Sequence, residues 1–223
     1  MIHPIKLAAE IEKQVSENTS KKYYRFRKTQ FYGGCATADC LGCNLRCAYC
    51  WAQKKVWKPN RYGQFYTAQE IAKRLISMNL PLVRVSGGEP TILKEHLLNL
   101  VVLFPENITF ILETNGILLD EEYVKELSKF KNLYVRVSLK GVNEVTFEKI
   151  TGAEGKFFQN QLDALELLKK YEIRHRAAIL YDLFTNSQIQ NLGIPNIEYE
   201  TLIRYPFVLS NLNKRGIVIK REL

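Results

Sequence analysis

Five cysteines, all within one short segment, are the side chains of this sequence best suited to chemistry: Cys35, Cys40, Cys43, Cys47 and Cys50. The last three follow the spacing Cys-x3-Cys-x2-Cys, which brings three thiolates within reach of one metal centre. Soft sulfur ligands select iron–sulfur clusters, zinc or copper(I). A [4Fe–4S] cube bound by only three cysteines leaves one iron free for a ligand that reacts.

A zinc site is the alternative interpretation of the same residues. Cys40-x2-Cys43 and Cys47-x2-Cys50 together supply the four sulfurs of a tetrahedral zinc ion. The loop between these two pairs is shorter than zinc sites normally use, so we favour the iron–sulfur cluster. Cys35 and Cys40 then remain open as structural thiols, transient ligands or a redox pair.

Length and composition indicate a folded domain of 223 residues, with 46% hydrophobic residues and no low-complexity run. No apolar stretch is long enough to span a bilayer, and the N-terminus lacks the apolar run of a secretory signal. We therefore expect a cytoplasmic protein, whose clustered cysteines bind metal rather than form disulfides. The net charge of +9 suits an anionic small molecule, a nucleic acid or an acidic protein partner.

Strand and helix patterns alternate after the cysteines, which predicts βα units and a parallel sheet. We expect a helix over 4–15 and strands over 29–32, 82–85, 108–112, 133–139, 173–180 and 197–202. About six units are short of the eight of a closed barrel, so the fold class predicted is a partial (β/α)6 TIM barrel with an N-terminal helical extension. The domain division expected is an extension over 1–28, the barrel over 29–203 and a C-terminal extension over 204–223.

Three of the predicted strands carry polar residues on one face, which is unusual for parallel strands buried on both sides. Arg84, Glu113 and Arg136 alternate with apolar neighbours and therefore share the inner face of the barrel. They either neutralise one another there or meet a bound ligand. The sequence leaves these two interpretations equal.

The cysteine motif, with the aromatic Tyr49 before its last cysteine, resembles the signature of the radical S-adenosylmethionine superfamily. Ser86-Gly87-Gly88-Glu89-Pro90, one βα unit later, resembles the Gly-Gly-Glu motif of the same superfamily. The resemblance implies that Cys43, Cys47 and Cys50 bind the cluster and that Gly87, Gly88 and Glu89 hold the methionyl amino group. Two glycines permit close backbone approach, and a carboxylate balances an ammonium.

Two further strand ends, Glu113-Thr114-Asn115-Gly116 and Ser138-Leu139-Lys140-Gly141, resemble those of pyruvate formate-lyase-activating enzymes and 7-carboxy-7-deazaguanine synthases. The resemblance implies that Glu113, Asn115, Ser138 and Lys140 contact S-adenosylmethionine. It also implies the family reaction, in which an electron donor such as ferredoxin or flavodoxin reduces the cluster. S-adenosylmethionine is then cleaved to a 5′-deoxyadenosyl radical that takes a hydrogen atom from the substrate.

The substrate and the subfamily stay unassigned. Ser138 replaces the Asp usual in activating enzymes, and Trp51-Ala52 replaces the Asp-Thr usual in deazaguanine synthases. Either function remains an alternative, as does a non-catalytic iron–sulfur or zinc protein. If unpaired, Arg84, Arg136 and Arg204 favour an anionic substrate, that is, a carboxylate, a phosphate or a nucleotide. A small anionic molecule, a nucleotide or a protein all remain possible substrates.

A basic, aromatic stretch over 21–28 could contact nucleic acid through phosphates and stacking. We favour an edge segment that packs its aromatic rings and solvates its charges.

Overall fold

The computed structural model describes residues 1–220 and contains one mixed sheet. Its nine strands are β1 (Ser16–Glu17), β2 (Ser20–Thr29), β3 (Cys35–Cys40), β4 (Gln64–Tyr66), β5 (Leu82–Gly87), β6 (Thr109–Thr114), β7 (Leu133–Leu139), β8 (Arg174–Leu180) and β9 (Glu198–Glu200). The strand order is β1-β2-β3-β5-β6-β7-β8-β9, with β4 paired to β2. The strands from β3 to β9 in this order pair in parallel, and β1, β2 and β4 add an antiparallel edge.

The helices are α1 (Pro4–Val15), α2 (Gln53–Val56), α3 (Ala68–Ile76), α4 (Lys94–Val101), α5 (Glu121–Leu127), α6 (Glu144–Thr151), α7 (Phe158–Lys170), α8 (Asn186–Gln190) and α9 (Pro206–Lys214). A capping box at Thr67 opens α3: Glu70 N donates to Thr67 Oγ1 over 3.3 Å, and Thr67 N donates to Glu70 Oε2 over 2.8 Å. The apolar strand faces pack on the helices in one buried cluster, which includes Val83, Phe110, Val135, Leu75, Leu97 and Leu127. This apolar layer holds the parallel strands against the helices.

The six parallel strands confirm the partial (β/α)6 barrel, which is an α/β fold whose sheet stays open. The predicted helix over 4–15 and strand over 133–139 match α1 and β7. The predicted polar inner face is also present, since the register sets Glu113 of β6 directly beside Arg136 of β7. Parallel alternation therefore places the charged side chains in the lumen.

The strand predicted over 29–32 is wrong. Residues Phe31–Gly33 form a 3₁₀ turn, and Tyr32 has the left-handed backbone φ of 57°. The strand before the Cys-x3-Cys-x2-Cys motif is β3, in which all six residues are buried. The basic stretch over 21–28 lies within β2, which pairs with β3 in the main sheet. The division at residue 28 stays a prediction.

A helix that crosses a bilayer needs about 20 predominantly apolar residues. Within residues 1–220, none of the helices combines the length and the apolar character needed to cross a membrane.

Candidate functional site

The cysteine loop, residues 41–52, begins where β3 ends and is bonded to the end of α6. Arg46 N donates to Thr151 O over 3.1 Å, and Ala48 N donates to Ile150 O over 2.8 Å. Its apolar side packs on a second buried cluster, made of Leu45, Ile117, Phe147, Phe157 and Phe158. The barrel therefore holds this loop from two sides.

The thiols of Cys43, Cys47 and Cys50 lie within electrostatic reach of one another in the cysteine loop. Burial raises the pKa of all three, that of Cys50 to about 12, and the neighbouring thiols raise the pKa of Cys43 further. Iron would offset this cost, because ligation stabilises a thiolate. Among residues 1–220 no three His, Cys, Asp or Glu side chains converge on the position of a single ion. A cubane is larger than one ion and needs more widely spaced sulfurs.

The Gly87-Gly88 turn at the end of β5 is bonded directly to the cysteine loop. Gly88 N donates to Cys40 O over 2.8 Å, and Glu89 N donates to Gly42 O over 2.7 Å. A Cβ on Gly88 would lie 1.9 Å from Gly42 O, and Gly87 has a φ of 103°. Only glycine fits such an approach of two backbones. The two motifs singled out in the sequence thus form one surface.

Glu89 is 1% exposed, and its carboxylate accepts four hydrogen bonds from protein groups. Three donors face Oε1: Thr91 N at 3.1 Å, Thr91 Oγ1 at 2.7 Å and Thr114 Oγ1 at 2.6 Å. Asn115 N donates to Oε2 over 2.7 Å. The carboxylate thus joins the ends of β5 and β6 and has one lone-pair position left, on Oε2. Direct contact with a methionyl ammonium stays a prediction.

The ends of β6 and β7 also reach the cysteine loop. Asn115 Nδ2 donates to Asn44 Oδ1 over 2.7 Å, between two cysteines of the motif. Lys140 Nζ donates to Ser138 Oγ over 2.7 Å and lies 5.6 Å from the ring centroid of Tyr49. The structure therefore brings the sequence-predicted residues of four strand ends to one edge of the barrel.

Two buried residues that support this edge were missed by sequence reasoning. Gln161 of α7 is fully buried, accepts from Lys140 N over 2.9 Å and donates to Ser138 O over 3.2 Å. Lys21 of β2 is also fully buried and donates to the carbonyls of Glu89 at 3.1 Å and Pro90 at 2.7 Å. Gln161 did leave a signal, because it is a polar residue on the apolar stripe of its helix.

The charged side chains of the lumen are paired with one another. Arg84 lies 2.5 Å from Glu113, and Arg136 lies 2.5 Å from both Glu198 and Glu200. Burial alone raises the pKa of Glu113, but Arg84, Arg136 and the hydrogen bond from Tyr32 together outweigh burial and hold that pKa below its usual value. The sequence interpretation tied an anionic substrate to unpaired arginines, and this condition is not met at Arg84 or Arg136.

The third arginine expected to bind substrate, Arg204, pairs with Asp182 over 3.3 Å. Arg84 still keeps two guanidinium donors, Nε and Nη1, that are buried without a hydrogen-bond partner in the described part of the chain. The ring of Phe31 lies 4.5 Å from Arg84 Cζ, and Tyr32 Oη donates to Glu113 over 2.7 Å. The turn between β2 and β3 therefore covers this part of the lumen.

The two remaining cysteines lie at opposite ends of β3. Cys35 Sγ lies 3.0 Å from Thr29 Oγ1, whereas Cys40 belongs to the main apolar core, where burial raises its pKa to about 11. Five residues of strand separate their Cα atoms by roughly 16 Å, well beyond the reach of a disulfide. The redox-pair interpretation is therefore wrong for this conformation.

Curated relatives match about half of the chain. Fe-coproporphyrin III synthase of Methanosarcina barkeri is 33% identical over 115 residues, which are 52% of this chain and 29% of that protein. GTP 3′,8-cyclase of Peptoclostridium acidaminophilum is 35% identical over 119 residues, which are 49% of this chain and 34% of that protein. The chain thus spans about a third of the length of these relatives.

A solved structure with the same fold is anSMEcpe with bound AdoMet and Kp18Cys peptide. It superposes with a TM-score of 0.56 at 21% identity, over 74% of this chain and 52% of that one. The family model described as "Radical SAM superfamily", whose enzymes use a [4Fe–4S] cluster and S-adenosylmethionine, matches residues 40–191. The chain therefore belongs to the radical S-adenosylmethionine superfamily of enzymes.

Proposed function

We propose that this chain binds a [4Fe–4S] cluster through Cys43, Cys47 and Cys50 and cleaves S-adenosylmethionine reductively at it. The observation that carries the proposal is the pair of backbone hydrogen bonds by which Gly88 N donates to Cys40 O, at the end of β3, and Glu89 N donates to Gly42 O, in the cysteine loop. Both lie where the parallel strands end, and active sites of barrels are built at that edge.

The donor groups at this edge suit both cofactors. Three thiols provide the cluster ligands, and the glycine turn lets a ligand approach the backbone closely. Asn44 Nδ2 is buried beside the cysteines without a partner among the described residues, so it is available to donate to a cofactor oxygen. A cluster held by these thiols would supply the single electron for splitting S-adenosylmethionine into methionine and a 5′-deoxyadenosyl radical, which would take a hydrogen atom from the substrate.

The chain's own residues orient the cofactor and exclude water. Lys140, held by Ser138, is the cation we assign to the methionyl carboxylate, and Tyr49 lies beside it. Asn115 ties the cysteine loop to β6, so its contribution is to hold Asn44 in place. Glu113 accepts from Tyr32 at Oε1 and from Arg84 and Ser86 at Oε2, so one lone-pair position on Oε1 is left for a ribose hydroxyl.

The substrate belongs in the lumen, and we propose that it carries a carboxylate or a phosphate. The carrying feature is Arg84, whose Nε and Nη1 have no hydrogen-bond partner among the described residues. Each of these two donors can make a charge-assisted hydrogen bond to an oxygen of a carboxylate or a phosphate. One relative is named for GTP, which is a phosphate-bearing nucleotide. Arg136 and Arg204 would act through the carboxylates that they already pair with.

Anaerobic reconstitution tests the first part of the proposal. The full chain, treated with iron, sulfide and dithionite, should bind about four irons and convert S-adenosylmethionine into methionine and 5′-deoxyadenosine. A complete cluster that yields no 5′-deoxyadenosine would favour a non-catalytic iron–sulfur protein. Tetrahedral zinc in place of the cluster would overturn the ligand assignment.

A further inference from the structure

A basic groove borders the cysteine loop on the outside of the barrel. It has a volume of about 370 Å³ and is lined by Gln53, Lys54, Trp57, Lys58, Arg61 and Tyr62. This segment follows directly after Cys50, the last cysteine of the motif. The groove is thus the accessible surface closest in sequence to the proposed cluster.

The segment that forms the basic groove carries positive charges and no negative ones. Residues 51–62 contain Lys54, Lys55, Lys58 and Arg61, all exposed, and no Asp or Glu. None of these four cations forms a salt bridge with a carboxylate within residues 1–220. Two aromatic side chains on the same segment, Trp51 and Tyr62, are each 38% exposed. Unpaired cations with exposed aromatic rings are typical of a surface that binds an acidic partner.

Residues that line the groove contact the cysteine loop directly. The ring of Trp57 lies 5.8 Å from the guanidinium carbon of Arg46, and Arg46 donates to Cys43 O over 2.6 Å. Gln53 N donates to Cys50 O over 3.3 Å, so α2 begins on the cysteine loop itself. A redox group held in the groove would therefore be separated from the cluster by little more than one layer of protein. Electron transfer slows steeply with distance, so this placement favours a reductant.

We infer that the basic groove is the docking surface of the electron donor, an acidic electron-transfer protein of the flavodoxin or ferredoxin class. This inference rests on the proposed function, because it requires the cluster to be reduced. Weak electron-transfer encounters use small interfaces that are steered by charge, which fits a groove lined by the three cations Lys54, Lys58 and Arg61. A single-stranded nucleic acid would meet the same charges, but it has no need to lie against the cysteine loop.

The test compares two reductants on the reconstituted full chain. Lys54→Glu combined with Lys58→Glu should lower the initial rate of 5′-deoxyadenosine formation about tenfold or more when reduced flavodoxin or ferredoxin supplies the electron. The same variant should keep the wild-type rate with dithionite, which is small and needs no docking surface. High ionic strength should reduce the difference between wild type and variant, because salt screens exposed charges.

A matched control changes the charge equally at a distance from the groove. Lys73→Glu with Lys169→Glu, on the exposed faces of α3 and α7, should leave both rates unchanged. Binding of oxidised flavodoxin and of oxidised ferredoxin to the cluster-free chain, followed by tryptophan fluorescence, should be lost only in the groove variant. This readout does not depend on catalysis.

The possible failures are distinguishable. If dithionite supports no 5′-deoxyadenosine formation in the wild-type chain, the proposed function is wrong. If dithionite works and the groove variant keeps its rate and its binding with both protein donors, the docking surface is wrong. Tight binding of a single-stranded RNA oligonucleotide that Lys54→Glu with Lys58→Glu abolishes, with protein donors unaffected, would assign the groove to nucleic acid and overturn the inference.

Discussion

Replacing Gly88 by alanine tests the contact between the two motifs more directly than any other change. An ideal Cβ there would lie 1.9 Å from Gly42 O, 2.8 Å from Gly42 C and 3.0 Å from Leu41 C. These are backbone atoms, so no side chain can rotate away, and one of the two loops must move. The movement breaks the bonds from Gly88 N and Glu89 N, which hold the loops together.

The size of the effect follows from these two hydrogen bonds. Each loss leaves an amide without its partner and costs about 1–2 kcal/mol, so Gly88→Ala should lower the free energy of unfolding by about 2–4 kcal/mol. Gly193→Ala is the matched control, because Gly193 has a φ of 65° and open space around its Cβ position. Backbone strain alone should make that control cost about 1 kcal/mol.

Urea unfolding of the two variants measures the difference, and calorimetric titration of the reconstituted protein with S-adenosylmethionine measures its consequence. We expect the dissociation constant to rise at least tenfold in Gly88→Ala and to stay at its wild-type value in Gly193→Ala. Gly88→Ala with the stability of the control and an unchanged dissociation constant would refute the claim that close backbone approach builds this site.

Three other expectations follow from the same structure. Cys47→Ala should lose iron and 5′-deoxyadenosine formation, whereas Cys35→Ala, which changes a thiol at the far end of β3, should retain both when iron content and product are assayed. Burial lowers the pKa of His96 to about 4, so as the pH falls the imidazole is protonated in the unfolded chain before it is protonated in the folded one. The free energy of unfolding should therefore drop by about 2–3 kcal/mol between pH 6.5 and 4. In urea titrations, His96→Gln should abolish this pH-dependent loss of stability. Glu113→Gln leaves Arg84 buried without its charge partner and should cost about 2–3 kcal/mol, and adding Arg84→Met should recover most of it in a double-mutant cycle of unfolding free energies.

Periodicity predicted the parallel strands because their apolar and polar residues alternate. Residues 133–139 show this alternation throughout, and β7 has those bounds in the structure. The strand before the Cys-x3-Cys-x2-Cys motif, β3, was not predicted because its residues are small and both polar and apolar. All six are buried, so apolar and polar residues do not alternate along the strand. The strand over 29–32 was predicted because the aromatic residues Phe31 and Tyr32 are typical of strands. The following Gly33-Gly34 indicated the turn that the structure contains.

The local residues of the site were visible in the sequence, but their partners were not. Arg136 pairs with Glu198 and Glu200, which are more than sixty residues away in sequence. The sequence pattern does not show that these carboxylates reach the lumen, because this depends on how the strands pair in the sheet. The interpretation of Arg84 as free to bind an anion therefore needed the tertiary structure, which leaves only its Nε and Nη1 unpartnered among the described residues.

The basic stretch in β2 shows how a single irregularity changes the outcome. The pairing of β2 with β3 shifts register between Tyr23 and Arg25. Before the shift, Lys21 and Tyr23 are buried; after it, Arg25 and Arg27 pair with Asp39. A β-bulge of this kind reverses which face a side chain occupies, and it is invisible to a pattern of charges.

The buried polar groups at the strand ends form one hydrogen-bond network. The carboxylate of Glu89 accepts four protein donors, Lys21 holds the carbonyl of the same residue, and Gln161 links the ends of β6 and β7. Each of these groups would be costly to bury alone, so they stabilise the edge only as a completed network. Because the network joins strands that are distant in sequence, it forms only with the barrel. A cluster and S-adenosylmethionine that bind at these strand ends would meet groups positioned by the network, so less of the free energy of binding would be spent on ordering the loops.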